Sequence, residues 1–439
     1  MPTVAFHTLG CKLNFAETST VGRQFREKGY SVVEFEETAD VILINTCSVT
    51  ENADREARKL VRQARRRSPE AFVIVMGCYA QLRPEQIAAI DGVDLILGSQ
   101  EKFRVFDYVE SFDHHGEARI CVGALDEEAA FGPAYAADSE GRARAFLKVQ
   151  DGCDYSCAFC TIPMARGASR SQSVASTVQQ ARDILARGFH EIVLSGVNVG
   201  DYGSKIDTSF ERLLAALLAV EGEYRIRISS IEPNLLTDRI IELTAASARM
   251  CRHFHIPLQS GSASVLRLMR RRYTKDLYAE RISTIRDRMP DCAIGIDVIV
   301  GHPGETEADF EETYRFLADL PFSYLHVFSY SARPGTHALQ IGSPVPSEER
   351  ARRSAMLRIL SEKKRQAFYR DNLGSIRPVL FEHTKDGITS GFTDNYVRVG
   401  VASAPDAEHR LIAVRLDAPQ GAYVAGSIVD EKYTEPRQL

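Results

Sequence analysis

Short apolar runs alternate with longer segments of helical periodicity over the first hundred or so residues of the chain. This alternation is typical of parallel strands connected by helices. The apolar runs are Val4–Phe6, Val41–Ile44, Phe72–Met76 and Asp94–Leu97, and the helical segments are Asn14–Lys28, Glu51–Arg67 and Pro84–Ile90. We therefore predict an N-terminal α/β domain, with an open parallel sheet, over residues 1–110.

The same alternation resumes at Phe146 and continues for about 200 residues. Its apolar runs are Phe146–Val149, Glu191–Leu194, Arg225–Ile231, His253–Leu258, Ala293–Val300 and Tyr324–Phe328, separated by helical segments around 174–187, 209–220, 236–249, 262–288 and 307–319. Six β/α units are fewer than the eight of a closed barrel, so the pattern predicts a partial (β/α)6 barrel. With a long charged helix at about 347–369, this second domain is expected to span 143–370.

Two regions break the alternation. Residues 111–142 contain His114, His115 and Gly116 followed by a stretch rich in alanine, glycine and acidic residues, which predicts a linker. After Ile376 the chain changes to short alternating runs with glycine and aspartate between them. This pattern predicts a small antiparallel β domain over 371–439.

Composition restricts the function classes. Lys and Arg total 54 against 59 for Asp and Glu, a formal net charge of −5, so any nucleic-acid contact must use local basic faces. Nine cysteines are too few for a disulfide scaffold of 439 residues, which favours a reducing compartment. No targeting segment and no long uncharged apolar run is evident, so we expect a cytoplasmic protein.

Three cysteines lie in one loop directly after the first strand of the second domain. Cys153, Cys157 and Cys160 form Cys-x3-Cys-x2-Cys. A closed zinc site needs four protein ligands, and the next downstream candidate, His190, is distant in sequence. Three thiolates on a tight loop suit a 4Fe-4S cluster with one open iron. This spacing after a first barrel strand, with Phe159 between the last two cysteines, resembles the radical S-adenosylmethionine (SAM) superfamily.

Cys11, Cys47 and Cys78 are far apart in sequence but each stands just past the end of a predicted strand. Parallel strands bring their carboxyl ends to one edge of a sheet, where ligands gather. These three thiols are therefore candidate ligands of a second cluster, and the alternative is three buried structural cysteines. Cys251 and Cys292 adjoin apolar strands and are expected in the core.

Several motifs around these cysteines resemble the methylthiotransferase family. They are His7–Asn14 (HTLGCKLN), Asn45–Thr50 (NTCSVT), Gly77–Gln81 (GCYAQ), Ile162-Pro163, Arg166-Gly167, Ser195-Gly196, Ser229–Glu232 (SSIE), Pro257–Ser262 (PLQSGS) and Gly301–Thr306 (GHPGET). The first three are similar to the branch that acts on N6-threonylcarbamoyladenosine in tRNA, the MtaB type. Sister branches act on isopentenyladenosine in tRNA or on an aspartate of a ribosomal protein.

The resemblance implies three domains: an N-terminal methylthiotransferase domain with an auxiliary cluster, a radical SAM core and a C-terminal TRAM domain. It implies two 4Fe-4S clusters and two SAM molecules. One SAM is cleaved to a 5′-deoxyadenosyl radical that activates carbon 2 of the modified adenine next to the anticodon, and the other is a methyl donor. The implied partners are tRNA carrying N6-threonylcarbamoyladenosine and an electron donor such as flavodoxin or ferredoxin, with no DNA and no membrane.

The same resemblance selects candidate SAM contacts. They are Arg166, Gly196, Glu232 and Gln259, each of which could instead fix a barrel loop through a salt bridge, a hydrogen bond or a turn. His302 departs from the aromatic residue usual between this glycine and proline. We interpret it as a satisfied loop histidine, with a proton-carrying role as the alternative.

Two basic clusters are candidate tRNA contacts. The segment Glu51–Arg67 carries Arg55, Arg58, Lys59, Arg62, Arg65, Arg66 and Arg67, and a second cluster comprises Arg267, Arg270, Arg271, Arg272 and Lys275. Either could equally be a solvated helix face. The segment from Arg377 onward has more acidic than basic residues, so only the resemblance implies RNA binding there.

Two other functions stay open at this stage. One is the activity of a sister branch, on isopentenyladenosine or on a ribosomal-protein aspartate. The other is a non-catalytic iron-sulfur or zinc RNA-binding regulator.

Overall fold

A computed structural model describes residues 1–109, 111–114, 116–125, 131–137 and 143–429. Its contacts divide the chain into two compact units. The first comprises Met1–Ala136, Phe146–Gln172 and Ser331–His337, and the second comprises Ala137–Ala145, Ser173–Tyr330 and Ala338–Leu439. The loop of Cys153, Cys157 and Cys160 thus packs with the N-terminal sheet. The boundaries predicted at 110, 142 and 370 stay a prediction.

The first unit is built on a parallel sheet. Its elements are β1 (Thr3–Thr8), α1 (Lys12–Glu27), β2 (Ser31–Val33), β3 (Val41–Thr46), α2 (Glu51–Arg67), β4 (Phe72–Gly77), α3 (Cys78–Leu82), α4 (Pro84–Ala88), β5 (Leu95–Leu97), α5 (Val105–Tyr108), β6 (Arg119–Cys121), β7 (Tyr135–Ala136), β8 (Arg144–Lys148, of which residues 146–148 belong to this unit), β9 (Gln150–Asp151), α6 (Ile162–Arg166) and β10 (Arg170–Ser171). Strands β1 to β6 form one sheet in the order β2-β1-β3-β4-β5-β6, and every pairing is parallel. The predicted open parallel sheet is confirmed.

Helices cover both faces of this sheet, which explains why its central strands are apolar at every position. On one face Leu60 and Val61 of α2 pack with Ile42 and Val73. On the other face Phe25 of α1 packs with Leu43 of β3 and Ile74 of β4. Crossover helices on opposite faces of a parallel sheet are typical of an open α/β fold.

Two strands of this sheet were not predicted. Strands β2 and β6 have three residues each and lie at the two edges. The residues of β6 are exposed or half-buried, so the sequence has no apolar alternation there to mark a strand. Pairing with β5 makes this part of the predicted linker a strand. Residues 115, 126–130 and 138–142 of the linker lie outside the described part of the chain.

The second unit begins with β/α repeats and ends in a β barrel. Its elements are α7 (Val174–Ala186), β11 (Glu191–Ser195), α8 (Phe210–Leu218), β12 (Arg225–Ile228), α9 (Asp238–Ala246), β13 (His253–His255), α10 (Ala263–Leu268), α11 (Lys275–Arg288), β14 (Ala293–Val300), α12 (Glu307–Asp319), β15 (Tyr324–Ser329), α13 (Ala338–Ile341), α14 (Ser347–Asp371), β16 (Ile376–Lys385), β17 (Ile388–Thr393), β18 (Arg398–Ala402), β19 (Leu411–Gln420) and β20 (Tyr423–Ile428). Strand β11 pairs with β12, and β13, β14 and β15 pair in that order, all in parallel. The predicted β/α repeats are confirmed.

The segment predicted as one helix over 262–288 is two helices, α10 and α11. Arg270 lies between them with φ 57°, in the left-handed region that interrupts a helix. The chain changes direction there, because the positive φ cannot be continued in a right-handed helix.

Strands β16 to β20 close into a barrel in the order β16-β17-β18-β20-β19. The predicted C-terminal β region is confirmed, although one of its pairs, β18 with β20, is parallel. Arg225 and Arg227 of β12 attach the barrel by donating hydrogen bonds to the carbonyl oxygens of Pro378, Phe392 and Thr393 at 2.9–3.1 Å.

Across the described part of the chain, no helix is long and apolar enough to span a membrane.

Candidate functional site

Cys11, Cys47 and Cys78 lie at one edge of the N-terminal sheet. They follow β1, β3 and β4, which are adjacent strands. The pairing aligns the strand ends, with Thr8 opposite Asn45 and Thr46 opposite Gly77. The structure therefore brings together three cysteines that are separated by more than 30 residues in sequence, as the strand-end argument predicted.

Two glycines allow the cysteine loops to approach one another. Gly10 and Gly77 immediately precede Cys11 and Cys78 and have φ values of +100° and +102°. A Cβ on Gly10 would lie 2.7 Å from Cβ of Cys47, and a Cβ on Gly77 would lie 2.5 Å from the carbonyl oxygen of Thr46. Only glycine combines this left-handed backbone with such close packing.

Asn14 joins the loops of the first two cysteines. Its side-chain amide donates hydrogen bonds to the carbonyl oxygens of Leu9, at 2.7 Å, and Thr46, at 3.1 Å. Its Oδ1 accepts a bond of 2.7 Å from Arg166 and lies 3.7 Å from Sγ of Cys11. Because Asn14 is only 1% exposed, these bonds replace water contacts completely and hold the ends of β1 and β3 together.

The electrostatic surroundings of these thiols suit a bound metal cluster. Burial, then the neighbouring thiols, raise the pKa of Cys47 to about 12. Burial also raises the pKa of Cys78, whereas Arg166 and Lys102 act in the opposite direction. Binding of a metal releases the thiol protons, and nearby cations stabilise the resulting thiolates. Three converging thiols with cationic neighbours fit an anionic iron-sulfur cluster.

Cys153, Cys157 and Cys160 lie in the loop between β9 and α6. The N–H of Cys153 donates to the carbonyl oxygen of Gly167 at 3.0 Å, which closes the loop at its base. Sγ of Cys153 accepts a hydrogen bond from the N–H of Tyr155 at 3.4 Å, and Sγ of Cys160 accepts one from the N–H of Ile162, also at 3.4 Å. All three thiols are half-buried. Backbone N–H groups aimed at sulfur are the surroundings in which iron-sulfur clusters are held.

Arg166, a predicted SAM contact, is bonded within the protein. Its guanidinium lies 2.9 Å from Oε1 of Glu17 and 2.9 Å from Oδ1 of Asp151, in addition to the bond to Asn14. The side chain is 1% exposed. The structure thus brings Arg166 to the base of both cysteine groups, and its role in binding SAM stays a prediction.

The other three predicted SAM contacts lie in the second unit, and their roles also stay predictions. The carboxylate of Glu232 forms an ion pair with Arg271, and burial raises its pKa. Gln259 has φ 66°, an unusual backbone conformation for a residue other than glycine and one that often marks a functional site. Gly196 directly follows β11 and is half-buried.

His302 is fully buried. Its Nδ1 lies 2.9 Å from the carbonyl oxygen of Pro303, and its ring contacts that of Tyr330 edge to face. Burial lowers the pKa of His302 to about 4, which keeps the imidazole neutral at physiological pH. Cys251 and Cys292 are buried as predicted.

A histidine-aspartate-histidine group lies on the adjacent strands β13, β14 and β15. Ligating atoms of His255, Asp297 and His326 all lie within 4.8 Å of one another. Nε2 of His255 is 2.9 Å from Asp297, and its Nδ1 is 2.7 Å from the hydroxyl of Ser230. The sequence analysis did not select these three residues, whose side chains meet only through strand pairing.

Helix α2 separates its seven basic residues into two groups. Arg58, Arg65 and Arg67 bond to the Tyr79 hydroxyl and to the carbonyl oxygens of Ala71 and Phe35. The exposed ones are Arg55, Lys59, Arg62 and Arg66, and their spacing of three or four residues places them on one face of the helix. We call these four residues the basic stripe. The sequence predicted the cationic helix but not this division.

The second basic cluster is partly neutralised. Arg271 pairs with Glu232 and Lys275 with Glu312. Arg267, Arg270 and Arg272 are exposed. The cluster therefore offers fewer cations to RNA than its sequence suggests.

Sequence analysis missed the buried partners of Arg166. Leu13, Glu17, Val21 and Phe25 follow one another at intervals of four residues, so a carboxylate stands in the apolar stripe of α1. Lys148 and Asp151 likewise stand in or beside the apolar run before Cys153. A charged residue at a core position is a signal that a buried partner exists, although it does not identify the partner.

Two family profiles match the chain. The one described as "Uncharacterized protein family UPF0004" matches residues 3–98, and the one described as "Radical SAM superfamily" matches residues 147–317. The first match contains Cys11, Cys47 and Cys78, and the second contains Cys153, Cys157 and Cys160.

Curated relatives match the chain over its length. The threonylcarbamoyladenosine tRNA methylthiotransferase MtaB of Bacillus subtilis strain 168 is 39% identical and covers 100% of both chains. The tRNA-2-methylthio-N(6)-dimethylallyladenosine synthase of Akkermansia muciniphila is 32% identical over 97% of this chain and 98% of its own. Among solved structures, the radical SAM methyltransferase TsrM of Kitasatospora setae matches with a TM-score of 0.58 and 15% identity, covering 77% of each chain. This last likeness concerns the fold alone.

Proposed function

The chain belongs to the methylthiotransferase family of radical SAM proteins, and we propose that it methylthiolates carbon 2 of N6-threonylcarbamoyladenosine in tRNA, next to the anticodon. The observation that carries this proposal is the full-length likeness to a relative with that named activity, at 39% identity. Further relatives bear the same name at 33–39% identity. The relatives named for dimethylallyladenosine are 32% identical, so the threonylcarbamoyladenosine branch is favoured.

Cys153, Cys157 and Cys160 would hold the cluster at which SAM is reduced, and Cys11, Cys47 and Cys78 would hold a second cluster. When bound, these clusters supply one-electron reduction of SAM and a site for the sulfur that is transferred. The chain positions these two groups differently: the loop of Cys153 is closed by the bond to Gly167, and the strand ends that carry the other three cysteines are packed through Gly10 and Gly77. Rigid loops of this kind keep the thiols in a constant geometry.

The proposed substrate is a polyanion, and the basic stripe of α2 is its proposed phosphate contact. The stripe begins one turn into α2, and α2 itself starts four residues after Cys47. Thr50 caps the helix by accepting a bond of 3.2 Å from the N–H of Ala53. A tRNA bound along the stripe would therefore lie near the proposed second cluster.

An electron donor such as flavodoxin or ferredoxin would supply the reducing equivalents. The cluster thiols require a reducing compartment, and tRNA is present in the same one, so we place the reaction in the cytoplasm.

One experiment distinguishes the roles of the two cysteine groups. We expect the triple variant Cys11→Ala, Cys47→Ala, Cys78→Ala to lose about half of its iron, because the other loop supplies all its own ligands. It should still form 5′-deoxyadenosine from SAM under anaerobic reduction. It should transfer no methylthio group to threonylcarbamoylated tRNA, because no other site holds sulfur within contact reach of the adenine. Iron, 5′-deoxyadenosine and modified nucleoside are measured on one preparation.

Each alternative function has its own outcome in this assay. Retention of all the iron, or of the methylthio product, in the triple variant would overturn the second-cluster assignment. Methylthiolation by the unaltered protein of isopentenyladenosine tRNA, or of a ribosomal-protein aspartate, instead of threonylcarbamoylated tRNA would overturn the substrate assignment. Zinc without acid-labile sulfide in the anaerobically purified protein would indicate a zinc RNA-binding regulator.

A further inference from the structure

Five charged side chains form one buried cluster in the first unit: Glu17, Lys102, Lys148, Asp151 and Arg166. Lys102 lies 2.7 Å from Oε2 of Glu17, and Lys148 lies 3.2 Å from Oε1 of Glu17 and 2.6 Å from Oδ2 of Asp151. Arg166 pairs with both carboxylates at 2.9 Å. None of the five side chains is more than 7% exposed. We call this group the ion cluster.

The residues of the ion cluster lie close in sequence to both groups of cysteines. Glu17 lies on α1, which begins directly after Cys11, and Asn14 of the same helix accepts a hydrogen bond from Arg166. Asp151 stands two residues before Cys153, and Arg166 stands six residues after Cys160. Arg166, which interacts electrostatically with Cys11 and Cys78, thus belongs to the segment that follows the loop of the other three cysteines.

The charges of the ion cluster do not cancel. Three cations face two carboxylates, and a fourth cation, Arg170, lies 3.8 Å from Asp151 with 11% of its side chain exposed, so positive charge is in excess in this buried region. A buried excess of positive charge is destabilising: burial lowers the pKa of Lys102, and a neighbouring negative group would relieve this cost. Cys11 and Cys78 are close enough to interact electrostatically with Arg166, and Cys78 also with Lys102.

A 4Fe-4S cluster with three thiolate ligands supplies the missing charge. It carries one net negative charge when oxidised and two after reduction, so a neighbouring cation stabilises the reduced form more. We propose that the ion cluster is the counter-charge of the cluster bound at Cys11, Cys47 and Cys78, and that Arg166 and Lys102 raise the reduction potential of that cluster. This inference rests on the proposed function, which assigns a cluster to these cysteines.

The test isolates the second cluster in the full-length protein. Cys153→Ala, Cys157→Ala and Cys160→Ala together remove the other cluster and provide the parent for comparison. Within this parent, Arg166→Gln and Lys102→Met each remove one positive charge, and Arg166→Lys keeps it. The reduction potential is measured anaerobically by a redox titration followed by electron paramagnetic resonance, with iron and sulfide determined on each sample.

We expect Arg166→Gln and Lys102→Met each to disfavour reduction by about tenfold, which corresponds to about 59 mV for a one-electron couple. Arg166→Lys should stay near the potential of the parent, as should Lys59→Gln, which removes an exposed cation of the basic stripe. A merely structural role would change the iron content but would not give shifts that follow charge.

Failure of this inference is distinguishable from failure of the proposed function. A parent without iron and sulfide would overturn the second cluster itself. If the parent binds iron and both Arg166→Gln and Lys102→Met keep the reduction potential of the parent, the proposal that the ion cluster is the counter-charge is wrong. If Arg166→Gln does not fold or bind iron, Lys102→Met with Arg166→Lys still decides the question, because the first removes one of the two cations that act on Cys78 and the second removes neither.

Discussion

The carbonyl oxygen of Thr46 lies 2.5 Å from the point that a Cβ on Gly77 would occupy. Thr46 precedes Cys47 and Gly77 precedes Cys78, so the two cysteine loops meet backbone to backbone. Any side chain at residue 77 would separate them.

Gly77→Ala should therefore lose the iron of the second cluster, about half of the total, while 5′-deoxyadenosine formation continues. The backbone at residue 77, with φ 102° and ψ −162°, is adopted almost only by glycine and costs alanine about 1–3 kcal/mol, and the collision adds to that. Gly29→Ala is a matched control, because Gly29 has φ +87° with open space around its Cβ position. If both variants keep their iron, close packing of the two loops is not required for cluster binding.

Cys157→Ala should abolish formation of 5′-deoxyadenosine, because two thiolates cannot hold the cluster in the geometry that binds SAM. Product is measured after anaerobic reconstitution with SAM and reductant. Cys251→Ala serves as a control for loss of a cysteine, because Cys251 is buried in the second unit and should leave the iron content unchanged. Normal SAM cleavage by Cys157→Ala would contradict the assignment of this loop.

Reversing Arg62 and Arg66 to Glu should weaken tRNA binding about tenfold at physiological salt and reduce its salt dependence, because two phosphate contacts are lost. SAM cleavage without tRNA should be unchanged. The control is Arg212→Glu with Arg239→Glu, two exposed residues of α8 and α9, which changes the net charge equally. Binding curves that coincide for the two double variants would show that the basic stripe is only a solvated face.

Arg227→Met should destabilise the second unit by about 3–5 kcal/mol, because it removes one partner of the buried carboxylate Glu191. It also removes hydrogen bonds to the β barrel. The thermal unfolding midpoint of the variant should fall well below that of Arg239→Met, which breaks only an exposed pair with Glu242. Equal midpoints for the two variants would contradict this ranking.

The stability that Arg227→Met loses should also depend on pH. Burial raises the pKa of Glu191, but Arg227 and Arg225 outweigh it and lower the pKa below its usual value of 4.5. Such a group stabilises the fold at pH above its unfolded value and loses this contribution as the pH falls towards its folded value. The difference between the unaltered protein and Arg227→Met should therefore be constant at neutral pH and decrease below about pH 4.5.

Local sequence was sufficient to predict the central elements and the positions of the cysteines. Val41–Ile44 and Phe72–Met76 are apolar at every position, a pattern that strands buried on both faces require, and the structure confirms both. Because parallel strands end at a common edge, this pattern also predicted that Cys11, Cys47 and Cys78 would converge. The spacing of the other three cysteines within one loop needs no tertiary information at all.

Tertiary structure alone decided which polar groups meet. Arg166 was predictable as a basic residue near Cys160, but its partners Asn14 and Glu17 lie about 150 residues earlier in the chain. The edge strand β6 forms only because β5 offers an unpaired edge, and three of the seven cations of α2 bond to acceptors outside the helix that the sequence does not identify. Burial and electrostatic pairing depend on distances that the packed chain sets, and hydrophobic periodicity carries no information about them.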